Sequence, residues 1–407
     1  MSTTLNTAVR SNTVPPAQPR PGSARRAFER RLSQLTSGSW PVLAGLAAVW
    51  LFFQTQNEHF LTARNLSNLV LQIGVLGTLA IGVVLVLLVG EIDLSLGAVT
   101  GVTAGILGVL LASLHWPSGA AIFAALIVGA LIGALQGGVI VYVGVPSFIV
   151  TLAGFLAWQG VQIILLGSSG ELLVQDSAIR SIGSSYLTTP QSVLLGFGVI
   201  ALYAFDEWRR RIRRRANGLE VDGVARSVAR VGLVALAVGG LAALLTAYLG
   251  VPYILVLLVG LVAILSWVTT RTVFGRHVYA IGGNAEAARR AGIRVDRVRI
   301  GIFVLTSMLA ALGGVLSAAR QFAVSIGTGG GTLQLDAIAA AVIGGTSLFG
   351  GRGRVYHALL GTLVIGSVEN GLDLLGQPSS TKDIATGVIL VIAVSIDALA
   401  QRRRRAR

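Results

Sequence analysis

Apolar residues fall into runs of 14 to 25 along most of the chain, and the gaps between the runs carry most of the arginine. A helix needs about 20 mainly apolar residues to cross roughly 30 Å of hydrocarbon. The pattern predicts crossings at 40–53, 66–89, 97–114, 119–143, 146–166, 191–205, 231–249, 253–270, 301–319, 336–349, 355–375 and 384–400. That is about twelve. Ten remain if 336–349, only 14 residues long, is a re-entrant half-helix and if 191–205, barely long enough, does not cross. The predicted fold is all-α: a polytopic transmembrane helical bundle of about 10–12 spans, with broken or re-entrant helices.

Within two of these runs glycine recurs at helical spacing, as Gly97, Gly101 and Gly105, and as Gly129, Gly133 and Gly137. Each set puts a smooth ridge on one helix face. Helices in lipid associate by close backbone approach at small residues, so both ridges are expected to be packing seams.

Charge fixes an expected orientation. With both termini on the arginine-rich side, 28 of the 32 basic residues fall on that side, and only Arg64, Arg180, Arg320 and Lys382 fall opposite. The excess of arginine and lysine on cytoplasmic loops then places both termini in the cytoplasm of a multi-pass inner (plasma) membrane protein. Residues 1–37, rich in Ser, Thr, Pro and Arg and without the apolar core of a signal peptide, read as a disordered cytoplasmic tail. Residues 38–400 form the transmembrane domain, with an Arg-rich cytoplasmic loop at 206–230 and a second cytoplasmic loop at 271–300. Residues 401–407 are a basic cytoplasmic end.

Polar residues interrupt this pattern in a few places. The stretch GEIDLSLG at 90–97 puts Glu91 and Asp93 between glycines in the middle of apolar sequence. Such groups face an internal cavity or each other at membrane depth, unless the stretch is a surface loop with Asp93 or Ser95 as a helix cap. Near the end of the chain, Glu369, Asn370 and Asp373 share one side of a helix at i,i+4 and i,i+3 spacing. Candidates for a translocation pathway are therefore Glu91, Asp93, Asn370 and Asp373. Gln159 and Gln162, also i,i+3, read better as ties between helices. In the 271–300 loop, Asn284 is a good N-cap and Gly292 a good C′ residue, which fences off a helix of about two turns. So short a helix needs a docking partner, either a separate protein or the cytoplasmic surface of its own protein.

Composition narrows the chemistry. The 407 residues are 54% hydrophobic and 12% charged, with a mean hydropathy of +0.77, against roughly 25% charged in soluble domains. The lipid bilayer is the expected surrounding. Zero cysteines exclude disulfide scaffolds and thiol nucleophiles. The single lysine, Lys382, follows Thr381, so the phosphate-gripping G-x-x-x-x-G-K-[ST] loop is absent and the chain carries no P-loop ATPase site. His59, His115, His277 and His357 form no H-E-x-x-H pattern, and no G-x-S-x-G occurs. A net charge of +15, nearly all of it arginine between apolar runs, reads as membrane topology and not as nucleic-acid binding. No cofactor or metal is expected on this chain.

Four blocks give the chain a family resemblance: GEIDLSLG (90–97), PSFIVTLAG (146–154), GRHVYAIGGNAEAARRAG (275–292), and DAIAAAVIGGTSLFGGRG (336–353) followed by ENGL (369–372). From about Phe60 onward the chain resembles the permease subunits of bacterial carbohydrate-uptake ABC transporters of the ribose and xylose type. The Arg-rich insertion and extra hydrophobic segments between Gln191 and Leu249 are similar to the longer, xylose-type members. The resemblance implies carbohydrate import, of a pentose such as xylose, by a homodimer or pseudo-dimer of permeases with two cytoplasmic ABC ATPase subunits and an extracytoplasmic sugar-binding protein. It implies that Gly283, Asn284, Glu286, Ala287 and Gly292 belong to a coupling helix seated in a groove of the ATPase. The segment 377–382 (QPSSTK) departs from the family pattern, which commonly has aromatics there. The residues alone leave open a second reading, an ion-coupled secondary transporter using Glu91, Asp93, Glu369 or Asp373 as its coupling site.

Overall fold

The computed structural model describes residues 40–221 and 223–405, so the expected tail at 1–37 lies outside the described residues. Fifteen α-helices account for most of them: α1 (Trp40–Gln56), α2 (Ala63–Leu88), α3 (Leu96–Gly108), α4 (Ser118–Gly138), α5 (Ser147–Leu166), α6 (Ser177–Ser184), α7 (Thr189–Ala216), α8 (Val224–Thr246), α9 (Tyr253–Arg271), α10 (Val273–Gly283), α11 (Ala285–Arg290), α12 (Val295–Gln321), α13 (Leu333–Ile343), α14 (Tyr356–Leu374) and α15 (Ser379–Arg405). Strands β1 (Glu171–Leu173) and β2 (Ala323–Ser325) pair antiparallel, Leu172 opposite Val324. The polytopic helical bundle is thus as expected. Among the described residues, seven helices are long and apolar enough to cross a membrane: α2, α3 with its π-helical extension to Ser113, α4 with its extension to Val143, α5 with the turn to Ser169, α8, α9 and α12.

Helix α2 is the centre of the bundle. The Thr62 hydroxyl accepts from the Asn65 backbone and starts it, and nearly every residue from Leu69 to Leu88 is buried. A helix apolar on all sides must be enclosed by other helices, and here α9, α12, α13 and α14 enclose it. The glycine ridge of α4 is the seam expected of it. A Cβ on Gly129 would stand 2.7 Å from the Ser307 carbonyl oxygen, and one on Gly133 would collide with the Phe303 carbonyl, so α4 and α12 approach backbone to backbone. On α3, Gly97 and Gly101 admit the Gly329 and Thr328 carbonyls, whereas Gly105 has ordinary contacts.

The structure differs from the sequence reading at three elements. The arginine cluster expected in a loop at 206–230 lies on helix: α7 runs on for 28 residues to Ala216, stiffened by an Asp206–Arg210 pair at 2.5 Å. Arginine is a good helix former, so leaving the apolar stretch does not end the helix. The 336–349 segment is an 11-residue helix, Leu333–Ile343, followed by turns. At 1.5 Å per residue it is about 16 Å long, half a bilayer, as the half-helix alternative requires. Finally, much of the 271–300 loop is helical, as α10, α11 and the start of α12.

Candidate functional site

Three of the four sequence blocks meet at the end of α2. The Leu88 carbonyl accepts from the Gly351 N–H at 3.0 Å. Gly282 sits where a Cβ would run into that same carbonyl and would stand 2.5 Å from the Gly351 nitrogen. A Cβ on Gly350 would approach the Gly282 oxygen at 2.8 Å and the Gly90 Cα at 2.9 Å. Gly350 also has φ +83, a left-handed conformation that glycine adopts without penalty. The Tyr279 hydroxyl donates to the Gly353 carbonyl at 2.8 Å, and burial raises its pKa above the ordinary tyrosine value. The 90–97, 275–292 and 336–353 segments therefore lock together through bare backbone.

Helix α11 projects from this lock. The Asn284 side chain accepts from the Ala287 N–H at 2.9 Å, and Gly292 at φ +82 follows the last turn, so both fences are where the spacing put them. The helix is six residues, Ala285–Arg290, about 9 Å long. Only Ala288 is buried against the protein; Gly283, Asn284, Glu286, Ala287 and Gly292 are all exposed. Glu286 pairs with Arg290 at 3.1 Å, and Arg289 with Asp296 at 3.2 Å. Nothing in so short a helix accounts for its exposed face. The preceding helix α10, started by the Thr272 side chain on the Gly275 N–H, holds it rigidly through buried Val278 and Ile281.

The carboxylates of the 90–97 stretch lie beside the lock. Glu91 forms an ion pair with Arg299 of α12, Oε1 to Nε 2.9 Å, although the N–H does not point along the contact. Asp93 is 1% exposed. Its Oδ1 accepts from the Ser95 N–H at 2.8 Å and the Ser95 hydroxyl at 2.7 Å, while Oδ2 has no partner. Gln334 fixes the loop from α13, donating to the Asp93 carbonyl at 3.0 Å and accepting from the Gly97 N–H at 2.8 Å. From α5, Ser147 and Thr151 accept from the Ile92 and Leu94 N–H groups. The Ser95 hydroxyl also stands 3.1 Å from Gln136 Oε1. Gln136 Nε2 and Trp158 Nε1 are buried donors without partners, both beside the bare Cα of Gly154. One unpaired acceptor thus lies in the 90–97 loop, one unpaired donor on Gln136 beside it, and a second donor on Trp158 next to Gln136 at Gly154. Sequence reading missed Gln136, Gln334 and Trp158; a lone glutamine inside the run 119–143 was the available signal for the first, whereas Gln334 lies just before the run 336–349.

Asn370 and Asp373 stand at the other end of the bundle. Asn370 is buried, accepting from Asn65 Nδ2 at 2.7 Å and donating to Gln72 Oε1 at 3.1 Å, so it ties α14 to the start of α2. Asp373 is exposed and pairs with Lys382 of α15. Asn65 and Leu88 are 23 residues apart on one helix, roughly 35 Å. The four pathway candidates are therefore not one cluster but two, at opposite ends of α2. Gln162 ties α5 to strand β2 and the turn after it and not to another helix, donating to the Ser325 and Thr328 carbonyls at 2.9 Å each. Among the described residues, no group of three or more His, Asp or Glu could hold a metal ion.

The comparisons with known proteins concern nearly the whole of this framework. The chain is 40% identical over 377 residues to the xylose transport system permease protein XylH of Escherichia coli (strain K12), covering 91% of this chain and 94% of that one. To XylH of Haemophilus influenzae it is 38% identical, over 88% of this chain and 95% of the relative. To the ribose import permease protein RbsC of Escherichia coli (strain K12) it is 32% identical, over 87% and 92%. No solved structure matches the chain. Residues 65–394, from the Asn65 tie at the start of α2 into α15, match one family throughout, and the chain belongs to that family, described as branched-chain amino acid transport system / permease component.

Proposed function

We propose that this chain is the membrane-spanning permease subunit of an ATP-driven ABC importer for a monosaccharide, a pentose such as xylose. It carries out no covalent chemistry. The observation that carries the reading is the exposed, capped helix α11, braced by α10 with its buried Val278 and Ile281 on the lock of the 90–97, 275–292 and 336–353 segments. A partner ATPase pushing on α11 would move the ends of α2, α12 and the 90–97 loop together, as one rigid lever. The family takes its description from branched-chain amino acid transport, but the near full-length relatives at 40% and 38% identity are xylose permeases, which favours a pentose. Partners on this reading are cytoplasmic ATPase subunits, an extracytoplasmic sugar-binding protein and a second permease copy, in the inner membrane with both termini cytoplasmic.

The ion-coupled reading loses support from the geometry. Of its four candidates, Glu91 is engaged by Arg299, Asp373 by Lys382 and one Asp93 oxygen by Ser95, and Glu91 and Asp93 stand at the opposite end of α2 from Glu369 and Asp373. The test is uptake of labelled xylose, ribose and leucine in cells lacking their own xylose permease, supplied with this chain and its ATPase and binding protein. Xylose uptake that survives a protonophore but not ATP depletion is expected. Uptake of leucine alone, or uptake abolished by the protonophore at constant ATP, would overturn the proposal.

A further inference from the structure

The α7–α8 hairpin contains a basic cleft that the transport reading does not use. Glu207, Arg210, Arg211 and Arg214 lie at i, i+3, i+4 and i+7 on the face of α7 toward α8, and Ser227 and Arg230 lie at i, i+3 on α8. With Arg213 and Val221 they line a cleft of about 360 Å³, within the size range of small-molecule sites, roughly 300–1,000 Å³. Five arginines face one carboxylate there, a net charge of +4. That carboxylate is spent internally: Glu207 Oε1 accepts from the Ser227 hydroxyl at 2.9 Å and stands 3.6 Å from Arg230. Arg210 reaches Asp206 at 2.5 Å. Among the described residues no ion pair is formed by Arg211, Arg213 or Arg214. Guanidinium groups converging at this density match the oxygens of a phosphate ester.

The depth of the cleft selects the source of the phosphate. One turn before the arginines, exposed Phe205 and Trp208 stand 5.7 Å apart, an aromatic pair of the kind found at headgroup level. Below them Leu194, Phe197 and Leu202 are exposed on α7, and Val228, Leu233 and Leu236 on α8, whose apolar stretch is only 6% buried. An exposed apolar hairpin in a membrane protein faces acyl chains, so a lipid beside it can reach the cleft with its headgroup while its tails lie along the hairpin. We infer that the α7–α8 cleft binds the phosphate of an anionic phospholipid headgroup.

The test titrates the purified full-length chain in mixed micelles with phosphatidylglycerol or phosphatidylcholine and counts bound lipid by native mass spectrometry. Retention of phosphatidylglycerol at least about tenfold over phosphatidylcholine is expected. Arg211→Lys with Arg214→Lys keeps every charge, and with it the topology signal, but removes the bidentate fork, and is expected to lower that preference about fivefold. Arg209→Lys with Arg215→Lys, on the same helix but outside the cleft, is expected to leave it unchanged. Equal retention of the two lipids would overturn the inference, as would equal loss in both double variants, which marks diffuse charge without a site. Displacement of the lipid by millimolar inorganic phosphate would assign the cleft to a soluble anion and equally overturn the lipid reading. Thermal unfolding of each variant shows whether it remains folded.

Discussion

Gly282 and Gly283 are neighbours in the same helix, yet a methyl group on the first would enter the Leu88 carbonyl and one on the second would meet nothing within 4 Å. Backbone cannot rotate out of the way as a side chain can. Gly282→Ala is therefore expected to destabilise the protein by about 1–3 kcal/mol or more through overpacking. Gly283→Ala is expected to leave thermal unfolding in detergent unchanged or slightly raised, since alanine is the better helix former. Equal behaviour of the two variants would contradict the lock at the end of α2. A second contrast concerns Trp158, whose buried Nε1–H has no partner. Removing an unsatisfied donor is nearly neutral or stabilising, by up to about 1 kcal/mol, so Trp158→Phe is expected to unfold no earlier than the wild type. A drop in melting temperature would mean that packing lost with the larger ring, or a bond to the indole N–H, outweighs the unpaired donor. At this scale the sequence showed which residues were out of place but not what they meet. Glu91 and Asn370 stand out in any apolar stretch, whereas their partners Arg299 and Asn65 are about 200 and 300 positions away and become neighbours only when α12 and α14 pack on α2.

Helix α11 offers the same kind of contrast between adjacent residues. Ala287 is exposed and Ala288 is buried. Ala287→Asp is expected to leave insertion and melting temperature intact while reducing ATP-dependent uptake at least about tenfold, because it puts a charge on the face offered to a partner. Ala288→Asp buries an unpaired charge and is expected to cost about 3–5 kcal/mol, so that the protein is lost from the membrane whatever α11 docks against. Full uptake by Ala287→Asp would remove the coupling role from α11. Elements of this kind were legible where a local rule marks them: Asn284 and Gly292 bracket α11 to within a residue, and the α4 glycines announce a seam with α12. The α7 extension through Arg215 and the whole of α10 were not legible, because hydropathy reports what lipid surrounds and says nothing about helices that continue beyond it.

For the whole molecule, the two clusters of polar residues define two ends. The end holding Glu91, α10, α11, the tip of the α7–α8 hairpin and Arg352 carries nearly all of the basic residues outside the chain termini; the end holding Asn370, Lys382, Arg180 and Arg320 carries few. Lipid-facing helices can present either end to the cytoplasm, so the choice rests on charge: loops rich in arginine are retained on the cytoplasmic side. The natural absence of cysteine makes this measurable without background. Ala216 and Gln377 are exposed and stand at opposite ends, so cysteines at the two positions should report opposite sides. In intact cells an impermeant maleimide is expected to label Gln377→Cys and not Ala216→Cys, and permeabilisation is expected to open Ala216→Cys alone to new labelling. The reverse pattern would turn the molecule over and place α11 outside, where no ATPase could reach it. Labelling of both from outside would break the two-ended bundle itself, since no even number of crossings between positions 216 and 377 is compatible with the separation seen along α2.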